Sequence, residues 1–148
     1  MKSETFAMIL PSCMNYMDRV EEEIANTSKL QIKASAVVQF TVEQAGELCA
    51  KWRKDEKIFA SRVRLLSSNI VKVYLLSGEN AIERWNQLMG PENPGSDEGN
   101  WHQLRYKFAD ASAYAEGDPD NGFYGSANHK EAKKEISFMK KWKIFPMN

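Results

Sequence analysis

Two short, almost unbroken apolar runs constrain this chain more than any other feature. Residues 5–10 (TFAMIL) and 70–76 (IVKVYLL) are too short to pay out a helical stripe, and breakers close each one: Pro11-Ser12 after the first, Ser77-Gly78 after the second. Runs of this kind predict strands buried on both faces, which demands helices above and below a sheet. The intervening sequence supplies both periods. Over residues 15–26, Met17, Val20 and Ile24 recur at helical spacing with Glu21, Glu22 and Glu23 turned outward. Over residues 30–40 the period drops to two: Leu30, Ile32, Ala34, Ala36, Val38 and Phe40 alternate with mostly polar neighbours, predicting a long strand with one covered face.

Local signals place the remaining elements. Thr41 with Gln44 forms a capping box opening a helix to about Trp52, and Asp55 caps a second helix with Phe59, Val63 and Leu66 as its apolar positions. Ala81, Ile82, Trp85, Leu88 and Met89 make a helical stripe stopped by Gly90-Pro91. Residues 91–100 predict a loop, 101–108 a short helix, 109–120 a turn-rich surface excursion, 121–124 a last strand and 128–140 a last helix. With no repeat or linker, residues 1–148 read as a single domain. The order strand, helix, strand, two helices, strand, helices, strand, helix predicts an α/β (α+β) fold of ferredoxin-like type, an antiparallel sheet covered by helices.

Composition narrows the function classes. The 20 basic and 20 acidic residues cancel, which argues against generic nucleic-acid binding. The lysines near the end (Lys130, Lys133, Lys134, Lys140, Lys141, Lys143) are interleaved with Glu131 and Glu135, as on a solvated helix face. No apolar run approaches the ~18 residues that span a bilayer, and the opening stretch lacks a signal-peptide core, so no membrane association and a cytoplasmic setting are expected. Two cysteines, Cys13 and Cys49, are too few for a disulfide framework, and with two histidines they fit no zinc spacing. No metal site is expected.

Four collinear segments carry a family resemblance. These are TFAMILP at 5–11, SSNIVKVYLLSGENAI at 67–82, WNQLMGPENP at 85–94, and NGFYGS at 121–126 followed by EAKKEI at 131–136. They resemble the T-x-A-x-I-K-P strand, the third strand with its following helix, the W-x-x-L-x-G-P-T-N-P segment, and the N-x-x-H-G-S-D and S-A-x-x-E-I motifs of the nucleoside diphosphate kinase family. Divergent, cilium-associated members are more similar than the housekeeping enzymes. The resemblance implies a β-α-β-β-α-β core, a fold that moves phosphate between nucleotides through a phosphohistidine with Mg²⁺ on the phosphates, and assembly into dimers that stack into hexamers.

At the residues that matter for that chemistry the chain departs from the pattern. The phospho-accepting His falls on Tyr124; imidazole titrates near 6.5, whereas a phenol near 10 is roughly 99.9% protonated at neutral pH. The Lys of I-K-P falls on Leu10, the next acidic residue on Ser12, the Arg of the helix before the G-P-T-N-P segment on Asn86, and the Thr of that segment on Glu92. Losing two charge-assisted contacts of roughly 1.5–3 kcal/mol each would weaken polyphosphate binding about 10²–10⁴-fold. The base-stacking pair falls on Ile58-Phe59 and the supporting Tyr near Ala50. What matches is Arg105, Asn121, Ser126 and Glu135: the second Arg, the ribose-contacting Asn, the Ser after the Gly, and the Glu that orients the His.

On residue chemistry alone each has a plainer use. Arg105 among Trp101, Leu104 and Phe108 closes a salt bridge; Asn121-Gly122 is a turn pair; Ser126 or Asn128 caps the last helix; Glu135 is solvated; Tyr124 packs with its hydroxyl satisfied. His102 and His129 are the alternative imidazoles. The resulting expectation is a catalytically inactive nucleoside diphosphate kinase-like domain acting as a binding or assembly module. In it Tyr124, Ser126 and Glu135 stand at the former catalytic positions and Phe59, Arg105 and Asn121 at nucleotide-binding ones. The competing expectations are a phosphotransferase and a nucleotide sensor with residual ATP or NDP binding, with Mg-nucleotide as the only cofactor. A homo-oligomer or assembly with other proteins, through the one-sided strand at 30–40, is the expected partner, and an axonemal association is compatible with it. The stretch 109–120 is longer than the family's usual connection and is expected to alter assembly or cover the old cleft.

Overall fold

The computed structural model describes residues 1–92, 101–109 and 119–146. The elements are β1 (Lys2–Ile9), a 3-10 turn (Pro11–Tyr16), α1 (Met17–Asn26), β2 (Gln31–Val38), α2 (Val42–Leu48), a second 3-10 turn (Ala50–Trp52), α3 (Glu56–Ser68), β3 (Val71–Glu79), α4 (Ala81–Met89), α5 (Leu104–Phe108), β4 (Phe123–Gly125) and α6 (His129–Lys141). The strands form one sheet in the order β2-β3-β1-β4, every neighbouring pair antiparallel. Strands β1 and β2 run the same way with β3 between them, which is the split β-α-β arrangement of the ferredoxin-like fold.

The central strands carry two cores. Phe6 and Met8 of β1, with Val71, Val73 and Leu75 of β3, face Phe40, Leu66, Ile136, Phe138 and Met139. Ala7 and Ile9, with Tyr74 and Leu76, face Val20 and Ile24 of α1 and Trp85, Leu88 and Met89 of α4. The period-two geometry of an extended chain sends neighbours to opposite faces, so an unbroken apolar run fills both layers.

Several details differ from the sequence expectations. Strand β2 does not put all of its alternating apolar residues on one face. The register slips between Ile32 and Ala34, which oppose Leu76 and Leu75 respectively, so Ile32 joins the α1/α4 core while Ala34, Ala36 and Val38 join the other. One extra residue in a strand exchanges its faces. Ser77-Gly78 does not end β3, because Ser77 pairs with Glu4 and Gln31, and Gly78 with Ser3. Glycine is there for clearance: a Cβ would lie 2.8 Å from Leu30 Cδ2. The helix expected to reach Trp52 stops at Leu48 and tightens into a 3-10 turn, and the one expected from residue 15 starts at Met17, after a 3-10 turn with proline in its first positions. The short helix at 101–108 is confined to Leu104–Phe108. Most of the expected loops at 91–100 and 109–120 lies outside the described residues.

The caps follow the local rules. Thr41 and Gln44 satisfy each other's backbone at the start of α2, and the Asp55 carboxylate accepts from Lys57 and Ile58 N–H at 3.1 Å each. Asn128, rather than Ser126, caps α6 by accepting from Glu131 N–H at 2.9 Å.

Candidate functional site

Strand β4 is three residues long, and its shortness decides what it presents. Pairing of Tyr124 with Met8 fixes the register, so Phe123 points into the α1/α4 core and Tyr124 to the opposite face. Trp85 holds the strand from behind, its indole N–H donating to the Tyr124 carbonyl at 3.1 Å. Gly125 lets it come that close, since a Cβ would lie 2.4 Å from Trp85 Cδ1. Beyond the strand, Asn86 donates to the Ser126 carbonyl at 3.2 Å.

The Tyr124 hydroxyl sits in a polar knot on the other face. It donates to the Glu135 carboxylate and accepts from Lys51 Nζ at 2.6 Å. Ser126 Oγ donates to the second Glu135 oxygen at 2.6 Å and accepts from the Phe6 N–H at 3.4 Å. Lys51 also pairs with Glu131 at 3.4 Å, and Glu131 accepts from Ala127 N–H at 3.2 Å. Around the knot, the Tyr124 ring meets Phe6 at 6.0 Å and the edge of Trp52 at 6.2 Å. Burial raises the Glu135 carboxyl above the usual range, opposed by the two hydroxyl donors and Lys51. Burial, with the adjacent Glu135 charge, pushes the Tyr124 hydroxyl well above the ordinary phenol range. The oxygen at this position therefore keeps its proton and aims it at a carboxylate. A carboxylate in that place is positioned as a general base would be, but the raised phenol pKa leaves the attacking anion scarce.

Tyr124 also forms part of the wall of an open cavity of about 470 Å³. Met8, Leu10 and Phe123 contribute from the sheet, Lys51, Trp52, Arg62 and Leu66 from the α2–α3 side, and Asn86, Met89, Gly90 and Glu92 from the end of α4 and the chain after it. Asn121 and Arg105 line the cavity as well. Arg105 is only 6% exposed, and its guanidinium donates to the Gly90 carbonyl at 2.6 Å and the Phe123 carbonyl at 2.8 Å. This fastens the chain after α4 to β4. Glu135 likewise is not solvated, being 7% exposed inside the knot.

The structure does not bring every candidate to the cavity. Phe59, expected as a base-stacking residue, packs toward α2, where a Cβ on Gly46 would meet its ring at 3.9 Å, and the Arg53 guanidinium lies 5.8 Å from the ring centre. Its position on α3 puts it among the partly buried residues of the core instead of the cavity wall. Neither imidazole reaches the site: His102 borders Thr27, Arg84 and Gln103, and His129 borders Glu4 and Lys133. Ser12 is occupied elsewhere. Its N–H and hydroxyl both donate to Asp120, at 2.8 and 2.6 Å, and Asp120 also accepts from Gly122 N–H at 3.1 Å. Among the described residues no group of three or more His, Cys, Asp or Glu could hold a metal ion.

Sequence reading missed Lys51, Trp52, Arg62 and Glu131. Lys51 follows Ala50 and meets Tyr124 across 73 positions of sequence, a separation no local pattern encodes. Arg62 looks like an ordinary exposed position of α3, yet its guanidinium lies 4.1 Å from the Trp52 ring centre and its Nε is buried without a hydrogen-bond partner. The only available signal was a tryptophan in a run of charged residues (KWRKDEK), which is weak.

Comparison with known proteins gives a consistent picture. The sequence model of the family described as "NDK: Nucleoside diphosphate kinase" matches residues 3–143. A nucleoside diphosphate kinase of Wolbachia sp. subsp. Drosophila simulans is 32% identical over 138 residues, 91% of either chain. One from Haemophilus ducreyi is 30% identical over 140 residues, covering 93% of this chain and 94% of the relative. Among solved structures, the Aquifex aeolicus nucleoside diphosphate kinase superposes with a TM-score of 0.82 at 24% identity, covering 94% of this chain and 95% of that one. The Halobacterium salinarum enzyme in complex with CDP gives 0.78 at 20% identity, covering 100% and 93%.

Proposed function

The chain belongs to the nucleoside diphosphate kinase family, and from that premise we propose that it has kept the family's cleft as a binding site while losing phosphotransfer. The observation that carries this is the state of Tyr124. A group that accepts and returns a phosphoryl needs an available lone pair and a product that is a good donor. Here burial and the adjacent Glu135 charge raise the cost of ionising the hydroxyl, its oxygen already accepts from Lys51, and a phenol ester would be a poorer phosphoryl donor than a phosphohistidine.

The rest of the cleft supports the same reading. Leu10 and Asn86, where the family resemblance calls for Lys and Arg, leave two phosphate contacts unmade, and the Asn86 amide is already used on the Ser126 carbonyl. Glu92 adds a carboxylate to the wall. These residues do not fit a Mg-polyphosphate, which requires several fixed cationic donors around the β- and γ-phosphates, so no step through a metal-bound nucleotide is derived. The open cavity favours a second role, ligand sensing, because the space beside Tyr124 is not filled by Phe59 or by any other described side chain. Binding would then be read out through assembly with copies of itself or with other proteins.

The test is direct. Purified protein incubated with radiolabelled ATP and GDP should form no labelled GTP and retain no acid-labile phosphate. Regeneration of GTP at a rate typical of enzymes would overturn the proposal.

A further inference from the structure

The lysines of α6 are not the neutralised row that their sequence suggests. Glu131 and Glu135, which interleave them, both turn toward the knot: Glu131 pairs with Lys51, and Glu135 is taken up by Tyr124 and Ser126. That leaves Lys133, Lys134, Lys140 and Lys141 three and four positions either side of Ser137, with Lys130 two turns before it, so all share one helix face. Ser137 and the lysines are exposed, apart from the half-buried Lys140. Lys141 has an acidic partner, Glu47 of α2 at 3.0 Å. No described carboxylate pairs with the ammonium groups of Lys130, Lys133, Lys134 or Lys140. The face is bounded on both sides. Glu4 of β1, already paired with Lys33 at 3.2 Å, borders Lys133, Ile136 and Lys140. Glu47 borders an open groove of about 620 Å³ formed with Lys130, Lys134 and Phe138.

We propose that this face of α6 docks a polypeptide segment of another protein, rich in Asp and Glu, laid along the helix between Glu4 and Glu47. Four unmatched ammonium groups along about 15 Å of helix make a local positive field on a chain whose net charge is zero. Charge complementarity selects an anion, and the flanking carboxylates select a narrow one. An anionic bilayer or a nucleic-acid duplex would set phosphates against both carboxylates, whereas one extended chain covers the row in about five residues and lies between them. Lysine suits such a partner, because an ammonium on a flexible stem demands no fixed fork geometry. A second copy of this chain is a poor occupant. In its longest described acidic run, Glu21 accepts from the Tyr74 hydroxyl at 2.6 Å and Glu23 from Lys107 at 2.7 Å, which leaves Glu22. None of the five lysines lines the cavity beside Tyr124, so the docking face is independent of what that cleft binds.

Fluorescence anisotropy of a labelled peptide of about ten glutamates, twice the length that spans the face, reads the affinity for the full chain. Combining Lys130→Gln, Lys133→Gln, Lys134→Gln and Lys140→Gln should weaken binding at least about tenfold. The same charge change at exposed positions elsewhere, Lys2→Gln, Lys54→Gln, Lys57→Gln and Arg64→Gln, should leave it within about twofold. Raising the salt from about 0.05 to about 0.3 M should weaken the parent at least about fivefold and the α6 variant less. Glutamine matches lysine in helix propensity. If circular dichroism nonetheless shows the α6 variant unfolded, Lys130→Gln with Lys134→Gln, and Lys133→Gln with Lys140→Gln, carry the test as pairs, each expected to weaken binding about threefold. Equal weakening by the two fourfold variants, no binding at millimolar protein, or tighter binding of a DNA duplex or of phosphatidylserine vesicles at the same salt would each overturn the assignment. So would an oligomer of the free protein that dissociates on substitution of the α6 lysines, since the occupant would then be a second copy. Peptide binding and GTP formation are separate readouts, so failure of the docking face leaves the inactivity of the cleft standing, and the reverse.

Discussion

Replacing Tyr124 by Phe removes one oxygen and leaves the ring in place, so it isolates the polar knot. The hydroxyl donates to Glu135 and accepts from Lys51. After the substitution Glu135 keeps one hydroxyl donor, Ser126, in a site where the residue is 7% exposed. A hydrogen bond to a charged group contributes about 1.5–3 kcal/mol, and a buried acceptor left short of donors adds to the loss, so about 2–3 kcal/mol is expected at neutral pH. For a chain of this length that lowers the melting temperature by roughly 5–10 °C. The pH dependence has a definite sign. Burial raises the folded-state pKa of Glu135 above its unfolded value, so the folded protein holds a proton that the unfolded chain has released. Its contribution to stability is therefore most favourable below the unfolded pKa, declines as pH rises through the window up to the folded pKa, and is flat above that. Removing the tyrosine donor raises the folded pKa further and extends the window upward. The destabilisation by Tyr124→Phe should then be largest at pH 8 and shrink to about 1 kcal/mol, the value of a neutral hydrogen bond, near pH 4. Urea melts of both proteins at three pH values measure it. Equal destabilisation at both ends of the range, or less than about 0.5 kcal/mol throughout, would refute the view that the tyrosine serves a buried carboxylate.

Two other substitutions test the supports of the site. Gly125→Ala would bring a methyl group within 2.4 Å of the fully buried Trp85, and overpacking of that kind should cost about 1–3 kcal/mol in urea unfolding; tryptophan emission should shift as Trp85 moves off β4. Arg105→Met removes the donors to the Gly90 and Phe123 carbonyls, and a loss of about 3 kcal/mol in stability without any nucleotide present is expected. A melting temperature unchanged by Arg105→Met would return that residue to the role of a ligand contact.

The residues of β1 show how far sequence reasoning reaches. An unbroken run such as TFAMIL must be covered on both sides, and both cores are there. The capping box at Thr41, the Asp55 cap and the glycine-proline stop after α4 are equally local, since each depends on residues within four positions of one another. Strand β2 marks the limit: its alternation was legible, but the slip at Lys33 that divides its side chains between two cores depends on how β3 meets it. The site shows the same division. Tyr124, Ser126, Glu135, Arg105 and Asn121 could be placed by resemblance to a family pattern, yet Arg105 turned out to be tied to backbone carbonyls, and Phe59 to face another helix.

By itself the sequence determined the order of strands and helices, the need for two cores, and the chemical identity of the group at the head of β4, because periodicity, caps and side-chain pKa are properties of short segments. Only the tertiary structure decided what that group does. Lys51, Glu135 and Tyr124 come from three different elements, and Arg62 meets Trp52 from a fourth direction. The proton's direction and the commitment of Lys51 follow from electrostatics at a few ångströms between residues far apart in the chain, distances that exist only once the sheet and its helices have closed.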